Sequence, residues 1–287
     1  MAPSSKYINE RAPVPGLQSG SDNPEGPPPH TGVLIINADD WGLDADTTDR
    51  IAECAALGTV SSASAMVLME DSERAADLAR ERAFEVGLHL NLTSPFTAHS
   101  VSPKVEEHHQ RVRSFLRRSR LSQAIYHPGL ANSFQYVVSV QLDEFSRLFG
   151  KPPRRVDGHH HMHLCANVLF AGLLPEGTIA RRNFSFLRGE KSGINRLYRR
   201  AMDHVLAKRH RLTDYFFSLP PLEPASRLER IFALARKSSV EVETHPVNPE
   251  EYKFLTGGAV LCWSKECQIA RGYTLDGHKS GLQVAGQ

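Results

Sequence analysis

The sequence predicts an α/β fold, a (β/α) TIM-like barrel that is irregular in places and forms a single domain. Three observations predict it. From Gly32 onward, short apolar runs alternate with helical patterns, which argues for a parallel sheet. Setting aside the Pro-, Ser- and Gly-rich residues 1–31 leaves about 256 residues, close to the ~250 typical of such barrels. The residues able to carry chemistry fall at or just past the C-terminal ends of the expected strands, the face where barrels and open α/β sheets build their sites. Periodicity does not separate a closed barrel from an open doubly wound sheet. Residues 1–31, ending in Pro27-Pro28-Pro29, offer little to bury and read as a disordered tail; residues 32–287 form the domain.

The elements follow in order. Val33–Ala38 is a nearly continuous apolar run, the mark of a strand covered on both faces. Asp44–Leu57 reads as a helix with Ile51, Cys54 and Ala55 inward and Leu57 at the edge of that face. Thr59–Met66 is a strand, Asp71–Arg82 an Ala-rich helix, and Phe84–Leu92 a strand with partial alternation. Residues 94–132 read as loop with short helices. Ser133–Phe149 is an amphipathic helix stopped by Gly150 and Pro152-Pro153. Arg155–Leu164 holds a strand and its C-terminal loop. Further strands are expected at Thr178–Asn183 and Val240–Thr244, and helices at Ile194–Lys208, Ala225–Lys237 and Trp263–Gly272.

Composition excludes several classes. Lys+Arg 34 minus Asp+Glu 32 gives +2, so net charge names no partner. No apolar run is long enough to span a membrane, and residues 1–30 lack the apolar core of a secretory signal. Cys54, Cys165, Cys262 and Cys267 show no CxxC spacing and are too few for a disulfide scaffold. These features favour a soluble, cytoplasmic protein. Neither GxGxxG nor GxxxxGK[ST] occurs. The unusual count is 14 His.

Four clusters carry potential chemistry. Asn37-Ala38-Asp39-Asp40-Trp41-Gly42 places two adjacent carboxylates at the end of a buried strand, where they suit a metal or a proton transfer, or one of them caps the next helix. His89 lies late in a strand among apolar neighbours, as a ligand or as a hydrogen-bonded core residue. Asp157-Gly158-His159-His160-His161-Met162-His163 packs an Asp and four His into seven residues. On an extended segment His159, His161 and His163 would share one face and His160 the other. Neutral imidazole is the commonest metal ligand, and a carboxylate such as Asp157 orients one from behind. Glu241-Val242-Glu243-Thr244-His245-Pro246 ends a late strand in a His suited to ligation or general acid work. One carboxylate with two imidazoles and open positions is a recurrent catalytic metal arrangement.

A basic stretch, residues 181–211, carries ten Lys/Arg against Glu190 and Asp203. It lacks aromatic interleaving and any nucleic-acid motif, so it reads as a solvated helix face and no nucleic acid is expected as a partner. Arg181 or Arg182, at an expected strand end, is placed to reach a substrate.

At these residues the sequence resembles the YdjC-like carbohydrate deacetylase family. The matching segments are IINADDWGL (35–43), TVSSASAMV (59–67), VGLHLNLT (86–93), FGKPPRRVDGHHHMHL (149–164) and VETHP (242–246). The departures are Trp41 where Phe is usual, the N-terminal extension, and weak matching through 94–132 and 185–235. The resemblance implies a (β/α) barrel and one divalent metal held by Asp40, His89 and His159. It also implies Asp39 as general base and His245 as general acid, roles that the two neighbouring Asp could exchange. Asp157 would orient His159. His161, His163, Arg181 and Glu243 would support the site or line the pocket. The implied reaction is hydrolysis of the acetamide of an N-acetylated sugar or oligosaccharide of the chitooligosaccharide type, releasing acetate. Mg²⁺ is the ion the family suggests, and Zn²⁺, Mn²⁺ or Co²⁺ suit the same O/N donors. Two other readings are a metal-dependent phosphoesterase on a similar barrel and a non-catalytic binder of polyanions. Pairing into a homodimer is compatible with the sequence.

Overall fold

The computed structural model describes residues 32–186, 192–258, 260–261, 269–273 and 275. The tail expected over residues 1–31, Cys262, Cys267 and most of the helix expected over Trp263–Gly272 lie outside them. Ile269–Gly272, the end of that expected helix, is not helical; Ile269 instead bridges Leu34.

The chain runs β1 (Val33–Trp41), α1 (Ala45–Ala56), β2 (Ser62–Ala65), α2 (Ser72–Glu81), β3 (Val86–Leu90), α3 (Pro103–Arg118), α4 (Ala131–Phe149), β4 (Arg155–Gly158), α5 (Ala166–Phe170), β5 (Ile179–Ala180), α6 (Gly193–Ala207), β6 (Tyr215–Ser218), α7 (Ala225–Leu234), β7 (Ser239–Thr244) and α8 (Pro249–Thr256). Short 3₁₀ turns occupy Ser122–Ala124, Pro128–Leu130 and His159–Leu164. All pairings are parallel, in the order β5-β4-β3-β2-β1-β7-β6. That is the sequential order of a (β/α) barrel, cut between β5 and β6.

The sheet is strongly curled. Arg181 directly follows the edge strand β5, yet its side chain bonds Glu241 on β7, five places along the ladder. A flat sheet would hold the two strands roughly 24 Å apart. At the cut, a single bridge from Ile179 to Arg211 stands among the described residues in place of a ladder. The structure is therefore a curled seven-stranded parallel sheet with helices packed outside.

Alternation sorts β1 cleanly. Leu34, Ile36 and Ala38 pack outward into the main core with Ile51, Ala52 and Cys54 of α1. Ile35, Asn37 and Asp39 face the concave side. Asp44 caps α1 by accepting from the Thr47 N–H at 2.8 Å. Leu57, expected at the edge of the inner face, is exposed, because it sits at the C-cap where the helix has already ended.

Several elements differ from expectation. Residues 94–132 contain a full 16-residue helix, α3, capped by Ser102 with Pro103 in its first turn. Its inward positions are Val105, His109, Val112 and Leu116, and a histidine among so few apolar residues hides the stripe. β6, α8 and the five-residue α5 were not expected at all. β6 is four residues long, and α8 eight. Of the strand expected at Thr178–Asn183, only Ile179–Ala180 joins a ladder.

Candidate metal centre

The site begins with a bulge in β1. Ala38 pairs with Ala63 and Trp41 with Ala65, so β1 spends one residue more than β2 between these pairs. Asp40 absorbs it in the left-handed region at φ 70°. In a regular strand Asp39 and Asp40 would face opposite sides. The bulge re-aims Asp40 so that both carboxylates enter the same concave space.

Three ligand-type side chains converge there. Asp40 Oδ1 lies 3.3 Å from His89 Nε2 and 3.0 Å from His159 Nδ1. One donor atom from each of Asp40, His89 and His159 lies within 4.8 Å of the others, a spacing that one ion can bridge. His89 is held from behind, its Nδ1 being 2.7 Å from Asp157 Oδ1. That contact points Nε2 at Asp40, in the carboxylate–histidine arrangement typical of metal sites. Asp157 is fixed in turn by Arg155 at 2.5 Å and by the Ser64 hydroxyl at 2.6 Å.

Asp157 thus orients His89, not His159 as the spacing suggested, because His89 and Asp157 are register partners on β3 and β4. His159 is steadied by Ser94, whose hydroxyl lies 3.0 Å from Nε2.

The histidine run is not extended, so the alternation expected of it fails. His160 and His161 both adopt left-handed backbone at φ 54° and 58°, an uncommon conformation for side-chain-bearing residues, found most often at functional sites. His160 Nδ1 meets the Thr93 hydroxyl at 2.9 Å. His161 sits 3.7 Å from Glu243 and meets the stacked rings of Phe184 and Phe216 edge to face. His163 turns away, fully buried, with Nε2 2.8 Å from the Arg181 carbonyl. Gly158 permits this, since a Cβ there would meet the His163 backbone nitrogen at 2.8 Å.

Beneath the cluster lies a buried ion network. Arg181, wholly buried, grips Asp39 with two bonds of 2.6 and 2.7 Å. It also bonds Glu241 at 2.7 Å and lies 3.3 Å from Glu243 and 3.2 Å from Asp157. Arg181 is therefore occupied inside the network rather than free to reach a substrate. His245 follows β7 next to Asp39, its backbone N–H bonded to Glu251 at 2.9 Å.

Electrostatics favour a cation. Burial alone would raise Asp39, but Arg181 and His89 hold it well below the usual carboxylate range. Asp40 is likewise pushed up by burial and held down more strongly by its bonds to His159 and His89. Burial pulls His89 down, yet Asp39, Asp157 and Asp40 together lift it to about 10. Burial and the Asp39 and Glu241 charges raise Glu243 well above its ordinary value. Five carboxyl groups (Asp39, Asp40, Asp157, Glu241, Glu243) face two guanidiniums (Arg155, Arg181) in this network. A field that holds a proton on a buried imidazole also suits a divalent cation, which would displace that proton. The O, N, N donor set with open positions fits such an ion.

Arg155, Glu241, Ser64 and Ser94 were not singled out by the sequence. The charged pairs Arg155/Asp157 and Glu241/Glu243 did carry a signal, being charges two residues apart in strands otherwise apolar, hence on one face. Ser94 carried none. Beside the centre a cleft of about 280 Å³ opens, lined by His160, His161, Phe184, Arg182, Tyr198 and Arg199 among others.

Comparisons with known proteins show the family. The family model described as YdjC-like protein matches residues 33–266. A chitooligosaccharide deacetylase of Serratia marcescens is 34% identical over 136 residues, which cover 46% of this chain and 51% of that protein. The one from Proteus mirabilis (strain HI4320) is 33% identical over 142 residues, 47% and 52% of the respective chains. The chain thus spans about half the length of the curated relatives it matches. A crystal structure from Enterococcus faecalis V583, provisionally described as a cellobiose-phosphate cleavage protein, superposes with a TM-score of 0.59 at 18% identity, over 84% of this chain and 97% of that one. It supports the fold alone.

Proposed function

The chain belongs to the YdjC-like protein family, and from that premise we propose that it is a metal-dependent carbohydrate N-deacetylase. Its substrate class is an N-acetylated amino sugar or oligosaccharide of the chitooligosaccharide type, and its reaction releases acetate. The observation that carries the reading is the convergence of Asp40, His89 and His159 with Asp157 behind His89.

In this reading Asp40, His89 and His159 hold one divalent ion. When bound, the ion supplies Lewis acidity to the acetamide carbonyl and to the attacking water. Mg²⁺ is preferred on the family resemblance, and Zn²⁺, Mn²⁺ and Co²⁺ suit the donors equally. Asp39, kept ionised by Arg181, accepts the proton of the attacking water. His245, which follows β7 next to the end of β1, donates a proton to the departing amine. Asp157 keeps the His89 Nδ1 proton in place, so that Nε2 presents its lone pair. Glu243 and His161 line the space beside Arg181. Residues 32–287 are read as one irregular (β/α) barrel, working in the cytoplasm.

The test is acetate release from N-acetylglucosamine dimers to tetramers after chelation and readdition of Mg²⁺, Zn²⁺, Mn²⁺ or Co²⁺. Release that needs the ion and falls by at least ~1,000-fold in His159→Ala is expected, as for loss of a metal ligand. Equal release by wild type and His159→Ala, or by the chelated protein, rules the reading out.

A further inference from the structure

Helix α6 is amphipathic in the reverse sense. Its buried residues are Asp203 and Leu206. Its aliphatic stripe faces solvent: Ile194 is 84% exposed, Leu197 69% and Tyr198 45%. The spacing i, i+3, i+4 places these three on one helical face, and at 100° per residue that face lies opposite Asp203. Arg200 flanks the stripe, whereas Arg196 and Arg199 lie beside Asp203 on the opposite face and are half-buried, Arg199 donating to Asn195 and Asn183.

A second segment has the same character. The end of α3 and the turn after it carry Arg117, Arg118, Arg120, Leu121, Ile125 and Tyr126, all exposed, with Leu121 at 71% and Ile125 at 54%. The two segments meet at one place, because Gln123 of the one and Tyr198 of the other both line the cleft beside the metal centre. From Arg117 to His127 and from Ser192 to Met202 the sequence holds six arginines and no acid. Among the described residues no ion pair engages the exposed Arg117, Arg118, Arg120 or Arg200.

We propose that this rim, Arg117–Tyr126 with Ile194–Arg200, docks the protein on an anionic lipid surface, with the mouth of the cleft turned toward the bilayer. Charge complementarity decides the occupant. A second copy of the chain would set four exposed arginines (Arg117, Arg118, Arg120 and Arg200) against four in a two-fold contact, and like charges repel. Nucleic acid would take the arginines but leave Leu121, Ile125, Ile194 and Leu197 in water. An anionic bilayer takes both, the aliphatic tips entering the headgroup boundary and the arginines meeting lipid phosphates. The proposal stands apart from the reaction, so failure of one leaves the other intact.

The test is co-sedimentation of the full chain with phosphatidylglycerol–phosphatidylcholine vesicles and with phosphatidylcholine alone. Binding to the anionic vesicles is expected. Each arginine removed in Arg120→Gln and Arg200→Gln should weaken it roughly fivefold, since a basic residue near such a surface contributes about 1 kcal/mol. The pair Leu121→Ser with Leu197→Ser should weaken it by roughly tenfold or more at low and high salt alike, because burial of apolar surface is not screened. No binding to anionic vesicles, binding equal in both variant pairs and wild type, or equal binding to neutral vesicles overturns the proposal. So does a dimer in solution that Leu197→Ser dissociates while vesicle binding is absent, which would assign the rim to self-association.

Discussion

Asp157 shows how much of the site rests on single side chains. It is wholly buried and accepts from Arg155 and Ser64 while holding His89 at 2.7 Å. Asp157→Asn keeps the shape but presents an amide where a carboxylate oriented the imidazole. Affinity for the divalent ion should fall about 10–100-fold, as for other partners behind a ligand. Titration calorimetry on the chelated protein reads this directly, and an unchanged affinity would remove Asp157 from that role. At this scale the sequence was informative about which side chains converge. Asp39, Asp40, His89 and His159 are chemically distinctive and sit at strand ends. It was silent on which partner stands behind which donor, because that depends on register between β3 and β4, which no local pattern encodes. Asp40 makes the same point, since its left-handed backbone is a property of the β1–β2 bulge.

At the scale of elements, legibility followed apolar content. β1, α1, α4 and β7 carry strong stripes or runs and were expected near their observed bounds. α3 was not, since His109 occupies one of its four inward positions. That histidine stacks on Phe96 with ring centroids 4.1 Å apart, and burial with the nearby Arg113 charge lowers it from 6.5 to about 4. An unfolded chain therefore takes up this proton near pH 6.5, whereas the folded one resists until about pH 4. Stability tied to His109 is intact above pH 6.5 and is lost as the pH falls toward 4, by roughly 3 kcal/mol for a shift of this size. Urea unfolding of His109→Leu beside wild type should show their stability difference moving in favour of the variant by about 2–3 kcal/mol between pH 7 and pH 4. A constant difference would mean that His109 titrates normally. α6 is the opposite case, an element expected at nearly its observed bounds whose exposed face no periodicity could orient. A hydrophobic stripe tells which residues stay together, not which way they point.

For the whole molecule, the sequential strand order was implicit in the alternation of strands and helices, whereas the cut between β5 and β6 was not. β5 contributes two residues to the ladder, too few for any pattern. The curl gathers donors from β1, β3 and the turn after β4 into one place, so an ion held there ties together segments separated by about 120 residues of sequence. A ligand that binds only the folded state raises its stability, by about 2.7 kcal/mol at a hundredfold excess over Kd. The chelated protein should gain several degrees in Tm on adding a divalent ion that fits. The gain should vanish in Asp40→Asn, which keeps a side chain tolerant of the left-handed backbone. A Tm indifferent to every divalent ion would argue against a resident metal.

The opposite end of the curl is stoppered. Tyr273 enters from below, its hydroxyl 2.6 Å from Glu241 and its ring 4.7 Å from the Arg155 guanidinium, beside Leu275, Ile35 and Ile179. Its backbone N–H is bonded to Glu85 at 2.7 Å. This stopper is a matter of dielectric. With water excluded underneath, the attraction between Arg181 and its carboxylates acts through a poorly polarisable medium, where each charge weighs several times more than in solvent. The acid–base character of Asp39, at the upper end, is thereby governed in part by an aromatic ring at the lower one.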